Sequence, residues 1–253
     1  MITKRLVVCL DVLGGRVVKG VQFVGLRDQG DPTDLAVRYE SEGADEIVYL
    51  DIGASAEERA TLLDLVRATA EQLFIPLTVG GGIRTADDVA LTLRSGADKV
   101  TLNTAAVEHP AVIRAAADRF GSQCVAVSID AARQADCWRV HTKGGRVATG
   151  LDAVTWAVDA ARYGAGELLV TSIDRDGGRA GYDLDLLVAI TQAVDVPVVA
   201  SGGAGTASHV VEALTTGDAN AALVAGILHE RQTTVKALKE AMIEAGLPTR
   251  RTW

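Results

Sequence analysis

Two aspartates follow similar apolar runs, in places where carboxylates can exchange protons with a substrate. Asp11 ends the run VVCLD, and Asp130 ends the run VAVSID. When two carboxyl groups flank one substrate in unlike surroundings, their pKa values separate, and one acts as acid while the other acts as base. The structural alternative is that each aspartate caps the turn or helix after it. Because the two aspartates occupy equivalent places, we favour catalysis.

Two segments have the composition of phosphate-binding loops. The first glycine segment, LTVGGGIRTADDV, spans residues 77–89, and the second glycine segment, VVASGGAGTASHV, spans residues 198–210. Each passes from an apolar run through glycines into a helix start, where backbone amides can face an anion. The structural alternative is a tight turn between strand and helix. Two such loops favour a long ligand with a phosphate at each end and the aspartates between them.

Short apolar runs alternate with amphipathic segments along the whole chain. We predict strands at residues 5–10, 46–50, 75–79, 98–102, 123–129, 167–173, 196–200 and 220–225. We predict helices at residues 34–41, 56–72, 86–95, 110–120, 151–163, 184–192, 207–215 and 235–245. Strands that alternate with helices are typical of parallel βαβ units. Eight units predict an α/β fold, a closed (β/α)8 TIM barrel, and an open doubly wound sheet is the weaker alternative.

The second half of the chain repeats features of the first. Gly81 and Gly82 align with Gly202 and Gly203, and VCLD at residues 8–11 aligns with VSID at residues 127–130. We therefore predict one domain over residues 1–253, built from two half-barrels at about 1–122 and 123–253. Functional residues of such barrels gather where the strands end, so the two aspartates are expected to face each other across the mouth.

Four charged residues stand at the starts of predicted strands: Arg5, Glu46, Lys99 and Glu167. Side chains alternate along a strand, so Arg5 shares a face with Asp11, and Lys99 shares a face with Asn103. With the aspartates at the mouth, the four charges lie at the opposite end of the barrel. From spacing alone we interpret them as a structural ion-pair cluster that closes the barrel floor.

Composition excludes several classes of protein. The chain has 253 residues, 48% of them hydrophobic, and a formal net charge of −8. This favours a soluble protein and argues against a nucleic-acid binder that depends on phosphate contacts. Three cysteines and four scattered histidines have no metal-site spacing and favour a reducing cytoplasm. No apolar run is long enough to predict a membrane span.

Other polar residues of the predicted loops have two interpretations each. Lys19, in the first loop GGRVVKGVQF, either reaches a phosphate or is solvated. The segment TSIDRDGGRAGYD, which contains Asp176 and Gly177, forms either a mobile acidic loop or a simple turn. The sixth strand ends in Thr171 and Ser172 rather than lysine, which argues against a Schiff-base aldolase.

The sequence resembles, almost end to end, the cyclase subunit of imidazole glycerol phosphate synthase, from histidine biosynthesis. The matching segments include VVCLDV, GRVVKGVQF, LRDQGDP, GADEIVYLDI, LTVGGGIRT, GADKVTLNTAA, LLVTSIDRDG and VVASGGAG. The resemblance implies a (β/α)8 barrel without a metal or an organic cofactor. It also implies a glutaminase partner whose ammonia crosses the barrel. There the ammonia reacts with a ribulosyl formimino-aminoimidazole carboxamide ribonucleotide to form imidazole glycerol phosphate and aminoimidazole carboxamide ribonucleotide.

The resemblance implies roles for matching residues. Asp11 and Asp130 become the acid–base pair, with Asp130 removing protons and Asp11 donating them. The residues expected to bind substrate and phosphate are Lys19, Gly82, Asn103, Thr104, Thr171, Asp176, Gly177, Gly203, Ala204, Ala225 and Gly226. The four charged floor residues become the gate of the ammonia passage. The glutaminase is expected to dock on the same, N-terminal face of the barrel, close to Asp98 and Gln123.

The chain departs from the family pattern at several loop positions: Gln22, Gly25, Gly53, Gly178, Gly226 and Glu230. The catalytic pair is intact. Two other functions remain open. One is the sister isomerase of the same pathway, which opens a ribosyl ring without ammonia. The other is a catalytically silent barrel that only supports a glutaminase. The charged floor and the segments VKGVQF and TSIDRDG favour the cyclase over both.

Overall fold

The structure is a computed structural model that describes residues 3–21, 24–53 and 56–251. In chain order the strands are β1 (Arg5–Leu13), β2 (Arg16–Val21), β3 (Val24–Gly30), β4 (Glu46–Asp51), β5 (Leu77–Gly80), β6 (Lys99–Leu102), β7 (Val125–Gln134), β8 (Cys137–Thr142), β9 (Val147–Asp152), β10 (Glu167–Ser172), β11 (Val198–Ser201) and β12 (Ala221–Val224). The helices are α1 (Pro32–Ser41), α2 (Ala56–Ala70), α3 (Ala86–Arg94), α4 (Thr104–Glu108), α5 (Ala111–Phe120), α6 (Ala153–Tyr163), α7 (Leu184–Thr191), α8 (Ala207–Thr215), α9 (Gly226–His229) and α10 (Val235–Glu244). A short 3₁₀ turn, Ser122–Cys124, precedes β7.

Eight of these strands close into a parallel barrel. The pairing runs β1, β4, β5, β6, β7, β10, β11 and β12, and β12 pairs with β1 again. Strands β2 and β3 extend β1 as an antiparallel ribbon, and β8 and β9 extend β7 in the same way. The prediction of a (β/α)8 TIM barrel is confirmed. The order of elements is the same in the two halves of the chain, which supports the predicted half-barrel repeat.

Each predicted strand corresponds to a barrel strand, and each predicted helix to an observed one. The ribbon strands β2, β3, β8 and β9 and the short helices α4 and α9 were not predicted. The interpretation of GGRVVKGVQF as a loop is wrong for residues 16–21, which form β2. Asp11 and Asp130 also do not end their strands, since β1 continues to Leu13 and β7 to Gln134 as the ribbons begin.

Side-chain alternation creates two apolar cores. Outward residues such as Leu6, Val8 and Leu10 pack against the helices. A second, smaller core fills the inside of the barrel and consists of Val7, Cys9, Val48, Leu169, Val199, Ala221 and Leu223. The residues are mainly aliphatic, as expected for parallel strands that are buried on both faces. Strand β1 therefore contributes its even-numbered residues to the outer core and its odd-numbered residues to the barrel interior.

A buried charge cluster fastens the chain ends at the bottom of the barrel. Asp45 accepts hydrogen bonds from Lys239 Nζ at 2.7 Å and Arg250 Nε at 2.9 Å, and its second oxygen accepts from the backbone N–H of Leu6 at 2.8 Å. The Asp45 and Lys239 side chains are almost fully buried. Burial lowers the pKa of Lys239, against the opposing pull of Asp45. The cation therefore depends on its carboxylate partner.

We predict that Asp45→Ala lowers the free energy of unfolding by about 3 to 5 kcal/mol, because it leaves a buried ammonium without a partner. Lys239→Met should cost less, since Asp45 keeps Arg250 and the Leu6 amide. Urea unfolding followed by circular dichroism measures both. The exposed ion-pair variant Lys236→Ala serves as control and should change stability by less than about 0.5 kcal/mol. A similarly small loss for Asp45→Ala would contradict the proposed dependence.

Candidate active site

Asp11 and Asp130 lie on opposite walls of the barrel mouth. Strands β1 and β7 are four places apart in the closed ring of eight. Asp11 pairs with Leu50 at the end of β4, and Asp130 pairs with Thr171 at the end of β10, so both lie near the carboxyl ends of the barrel strands. Asp11 is buried, and the Cys9 thiol lies 3.8 Å from its Oδ1. The structure therefore places the two carboxylates as the sequence predicted.

A buried histidine holds β1 just below Asp11. His229 Nε2 lies 3.0 Å from the Cys9 carbonyl oxygen, which can only accept, so Nε2 carries the proton. Nδ1 then accepts from the Tyr39 hydroxyl at 2.7 Å. Both side chains are buried. The imidazole thus links α1, α9 and the backbone two residues before Asp11.

Asp130 lies in surroundings that suit a base at neutral pH. Its Oδ1 accepts from Ser128 Oγ at 3.3 Å, and its Oδ2 accepts from Asn103 Nδ2 at 3.2 Å. Burial of the carboxylate raises the pKa of Asp130 to about 6, and the Asp176 carboxylate contributes in the same direction. The Ser128 hydrogen bond and the charge of His141 oppose this rise. A carboxylate with this pKa is ionised at pH 7 yet takes up protons readily.

The two glycine segments have equivalent conformations. Gly81 has φ +94°, and a Cβ there would lie 2.1 Å from the carbonyl oxygen of Asp51, at the end of β4. Gly202 has φ +85°, and a Cβ there would lie 2.6 Å from the carbonyl oxygen of Ser172, at the end of β10. Only glycine fits such a close backbone approach. In each half, the loop backbone therefore lies directly on the end of the preceding barrel strand.

A short helix begins beside each glycine segment. Asn103 precedes α4 with φ −118° and ψ −86°, and Ala225 precedes α9 with φ −137° and ψ −81°. Neither residue caps its helix with a side-chain hydrogen bond. Gly82 follows β5, and Asn103 and Thr104 follow the neighbouring strand β6. Likewise Gly203 and Ala204 follow β11, and Ala225 and Gly226 follow the neighbouring strand β12.

The side chains of the first of these groups contact protein atoms. Besides Asp130, Asn103 Nδ2 lies 3.3 Å from the backbone carbonyls of Ser128 and His141. The Thr104 hydroxyl accepts from the backbone N–H of Lys143 at 2.9 Å. An anion at this position would therefore be held mainly by backbone amides, as the sequence of the glycine segments suggests.

The loop between β10 and α7, which contains Asp176 and Gly177, packs on the second glycine segment. The backbone N–H of Gly181 donates to the carbonyl of Gly203 at 2.9 Å. A Cβ on Gly205 would lie 2.1 Å from the carbonyl oxygen of Arg179. Asp176 also acts electrostatically on Asp130. This loop therefore connects the second glycine segment with the side of the mouth that carries Asp130.

Two sequence-predicted features fall wholly or partly outside the described side chains. Lys19 lies in β2 with its backbone opposite Arg27, but its side chain is outside the described part of the chain. Gln22 lies outside the described residues altogether. The expected contact of Lys19 with a phosphate remains a prediction.

Four side chains form a closed ring of alternating charge at the bottom of the barrel, called here the charged ring: Arg5, Glu46, Lys99 and Glu167. Arg5 Nη1 lies 2.7 Å from Glu46, and its Nη2 contacts Glu167. Lys99 Nζ lies 2.7 Å from each of the same two carboxylates. Desolvation disfavours each charge, but the Lys99 and Arg5 cations outweigh it at Glu167 and lower its pKa. The ion-pair cluster predicted from spacing is present.

Polar side chains also lie on the inner face of the barrel, between the charged ring and the mouth. Thr78 donates from Oγ1 to Glu46 at 2.6 Å, just inside the ring. On β6, Lys99, Thr101 and Asn103 share the inward face, in order from the ring to the mouth. Thr101 is buried, and its hydroxyl has no hydrogen-bond partner among the described residues. It is a buried polar group, unpaired within the described part of the chain, that lies between the ring and Asp130.

The N-terminal face around the charged ring carries the two predicted partner contacts. Asp98 is exposed and accepts from the backbone N–H of Leu77 at 2.9 Å. Gln123 is exposed and donates to the carbonyl of Phe120 at 3.2 Å. On the same face the side chain of Phe74 is 93% exposed. It borders a depression of about 290 Å³ that is also lined by Leu73, Ile75 and Pro76.

Sequence reasoning missed His141 and Ser128 as neighbours of Asp130. His141 lies on β8, which was not predicted as a strand, so its pairing with Asp130 was hidden. Within residues 3–21, 24–53 and 56–251, no three His, Cys, Asp or Glu side chains are grouped like metal ligands. In that same part of the chain, no helix has the length and apolar character needed to cross a membrane.

We predict that Asp130→Asn stabilises the protein above pH 6. A carboxyl whose pKa is raised from 3.8 to about 6 in the folded state makes its charge unfavourable to folding above pH 6, and this cost vanishes below about pH 4. The variant should gain up to about 3 kcal/mol at pH 8 and nothing near pH 4. Urea unfolding at both pH values measures this. The exposed variant Asp136→Asn is the control, and an equal gain in both variants would contradict the prediction.

Comparison with known proteins agrees with this site. Residues 5–234 match the family described as histidine biosynthesis protein. The chain is 66% identical over 250 residues to the imidazole glycerol phosphate synthase subunit HisF of Myxococcus xanthus, covering 99% of both chains. It is 56% identical to the HisF subunit of Thermosynechococcus vestitus, covering 99% of this chain and 91% of that relative. It is also 56% identical to that of a Synechococcus strain, covering 99% of this chain and all of the relative. The chain therefore belongs to the histidine biosynthesis family, among the HisF subunits of imidazole glycerol phosphate synthase.

Proposed function

We propose that the protein is an ammonia-dependent cyclase, a lyase of histidine biosynthesis. Its substrate is the ribulosyl formimino-aminoimidazole carboxamide ribonucleotide, and its products are imidazole glycerol phosphate and aminoimidazole carboxamide ribonucleotide. The observation that carries the proposal is the placement of Asp11 and Asp130 on opposite walls, between two equivalent glycine segments. The high identity to HisF subunits along the whole chain supports the same activity.

The substrate's shape follows from the order of strands around the barrel. The first glycine segment and α4 belong to β5 and β6, and the second glycine segment and α9 belong to β11 and β12. These two pairs of strands lie on opposite sides of the ring, and β1 and β7 lie between them. A molecule with a phosphate on each side therefore passes with its middle between Asp11 and Asp130.

The two aspartates divide the proton transfers. Ammonia adds to the ribulosyl carbonyl and forms an imine with loss of water. The formimino carbon–nitrogen bond then breaks, aminoimidazole carboxamide ribonucleotide leaves, and the imidazole ring closes between the formimino carbon and the new nitrogen. Asp130, with its pKa raised by burial, takes protons from the reacting atoms at neutral pH. Asp11 donates protons from the opposite wall. Thr171, beside Asp130 on β10, and Asp176, in the loop after β10, border the same reacting centre.

Ammonia reaches this centre from the bottom of the barrel. The charged ring closes the lower end, and the Thr101 hydroxyl lies between it and the mouth. We assign to the ring the role of a gate, opened when a glutaminase subunit docks on the N-terminal face. Asp98, Gln123 and the exposed Phe74 belong to that face.

We predict that Asp11→Asn and Asp130→Asn each lower turnover about 10²- to 10⁴-fold, the range typical for loss of an acid or base. The assay supplies the purified chain with ammonium salt and the ribulosyl substrate and measures formation of imidazole glycerol phosphate. Substrate binding, measured by calorimetry, should change little, because the phosphate contacts remain. Asp136→Asn, an exposed carboxylate, is the matched control.

The same assay separates the alternatives. Conversion of the ribosyl precursor into the ribulosyl form, without product from ammonia, would identify the isomerase. A chain that stimulates a glutaminase but forms no product would be a silent barrel. Full turnover in Asp11→Asn would overturn its assignment as proton donor.

We predict that Phe74→Ser weakens glutaminase binding at least about tenfold, because an aromatic side chain with this exposure is a typical interface anchor. Isothermal calorimetry with the purified glutaminase measures the affinity. Turnover with ammonium salt should stay unchanged, since Phe74 lies at the other end of the barrel. Leu151→Ser, which removes a half-exposed leucine at the mouth, is the control and should bind normally. Equal affinities for all three chains would refute docking at this face.

A further inference from the structure

We propose that His141 is a further functional residue of the site, a positioning residue that acts on Asp130 from the facing place on β8. This inference rests on the proposed function, in which Asp130 takes protons from the reacting atoms. His141 belongs neither to the glycine segments nor to the charged ring.

Strand pairing places His141 beside Asp130. In the antiparallel ladder of β7 and β8, Asp130 and His141 are direct partners. Directly opposed residues of such a ladder point to the same side, with Cβ atoms about 5 Å apart. The next pair, Ala131 and Val140, is buried in the outer core, which directs Asp130 and His141 toward the mouth. The imidazole and the carboxylate therefore share one face.

The imidazole is held in a defined orientation. His141 Nδ1 lies 3.0 Å from the carbonyl oxygen of Arg139. Because a carbonyl oxygen only accepts, Nδ1 carries a proton and donates it. This hydrogen bond fixes the orientation of the ring against the backbone of β8.

Asn103 holds the same group of strands together. Its Nδ2 contacts the Asp130 carboxylate at 3.2 Å and the carbonyl of His141 at 3.3 Å. One amide group therefore links β6 to both members of the pair. The amide thus holds the Asp130 carboxylate close to the backbone of β8 at His141.

Asp130 lies between two opposite electrostatic influences. The Asp176 carboxylate, from the loop after β10, raises the pKa of Asp130, and the His141 imidazole lowers it. Two basic residues near His141 make hydrogen bonds to other partners. Arg139 Nη1 donates to the carbonyl of Gly150 at 3.0 Å, and Lys143 contacts Thr104 through its backbone N–H. His141 thus opposes the effect of Asp176 at this carboxylate.

The expected effect is on the acid side of the pH profile. The electrostatic influence of His141 favours the charged form of Asp130, so the base remains available as the pH falls toward 6. Without the imidazole, Asp130 takes up its proton at a higher pH. Activity then declines earlier on acidification, while the rate at higher pH depends little on His141.

The test compares wild type, His141→Gln and His141→Phe in the ammonium-driven assay from about pH 5.5 to about pH 9. Free ammonia is kept constant, because its share of total ammonium changes with pH. The midpoint of the acid limb of kcat/KM should rise by about 0.5 to 1 pH unit in both variants, with the plateau within about threefold of wild type. His109→Gln, which replaces an exposed histidine outside the site, should match wild type.

A second measurement does not depend on activity. Carbon-13 labelled carboxyl groups are titrated by NMR, and the Asp130 signal is identified by its loss in Asp130→Asn. Its midpoint should lie near 6 in wild type and higher in both His141 variants. Superposable pH profiles and an unmoved midpoint would overturn the role of His141. Absence of turnover in wild type would refute the proposed function instead, and the NMR titration would still decide the inference. If His141→Phe does not fold, His141→Gln carries both measurements alone.

Discussion

The parallel register of the barrel strands is the constraint on which every proposed functional position depends. Along β1, inward side chains lead from Arg5 in the charged ring, through Val7 and Cys9, to Asp11 at the mouth. The pairing of β1 with β4 fixes how far Asp11 lies along the barrel axis, and the pairing of β7 with β10 does the same for Asp130. A slip of one residue would turn Asp11 toward the helices and Leu10 into the barrel. The register thus fixes the positions of the inner core, the charged ring and the two aspartates together.

The barrel and its main positions were predictable because their signals are local. Short aliphatic runs separated by amphipathic segments identified the eight strands, and glycines after two of them identified the close backbone approaches at Gly81 and Gly202. Hydrophobic alternation also placed Arg5 and Lys99 on the inward face. The short helices α4 and α9 escaped prediction because four or five residues are too few to show a helical period.

The parts that escaped prediction depend on contacts between distant residues. Strand β9 is largely exposed, so no buried face marks it in the sequence. Strand β8 buries every second residue, but this short alternation was not recognised as a strand. Once β8 was missed, His141 was a scattered histidine rather than the partner of Asp130. The sequence likewise did not indicate that the amide of Asn103 contacts Asp130 and two carbonyls. Its expected part in a phosphate site remains a prediction. Residue type indicated chemistry at these positions, but only the fold indicates which neighbour each side chain serves.

Under the proposed function, the charged ring also determines whether nitrogen crosses it as ammonia or as ammonium. Its two cations and two carboxylates cancel, and each is already paired on both sides. An ammonium ion within the ring would be a fifth charge, desolvated and without a carboxylate of its own, and would lie next to Lys99 and Arg5. Ammonia carries no charge and both donates and accepts hydrogen bonds. Under the proposed function, the ring therefore filters for protonation state as well as acting as a barrier, and nitrogen reaches the mouth with its lone pair available for attack.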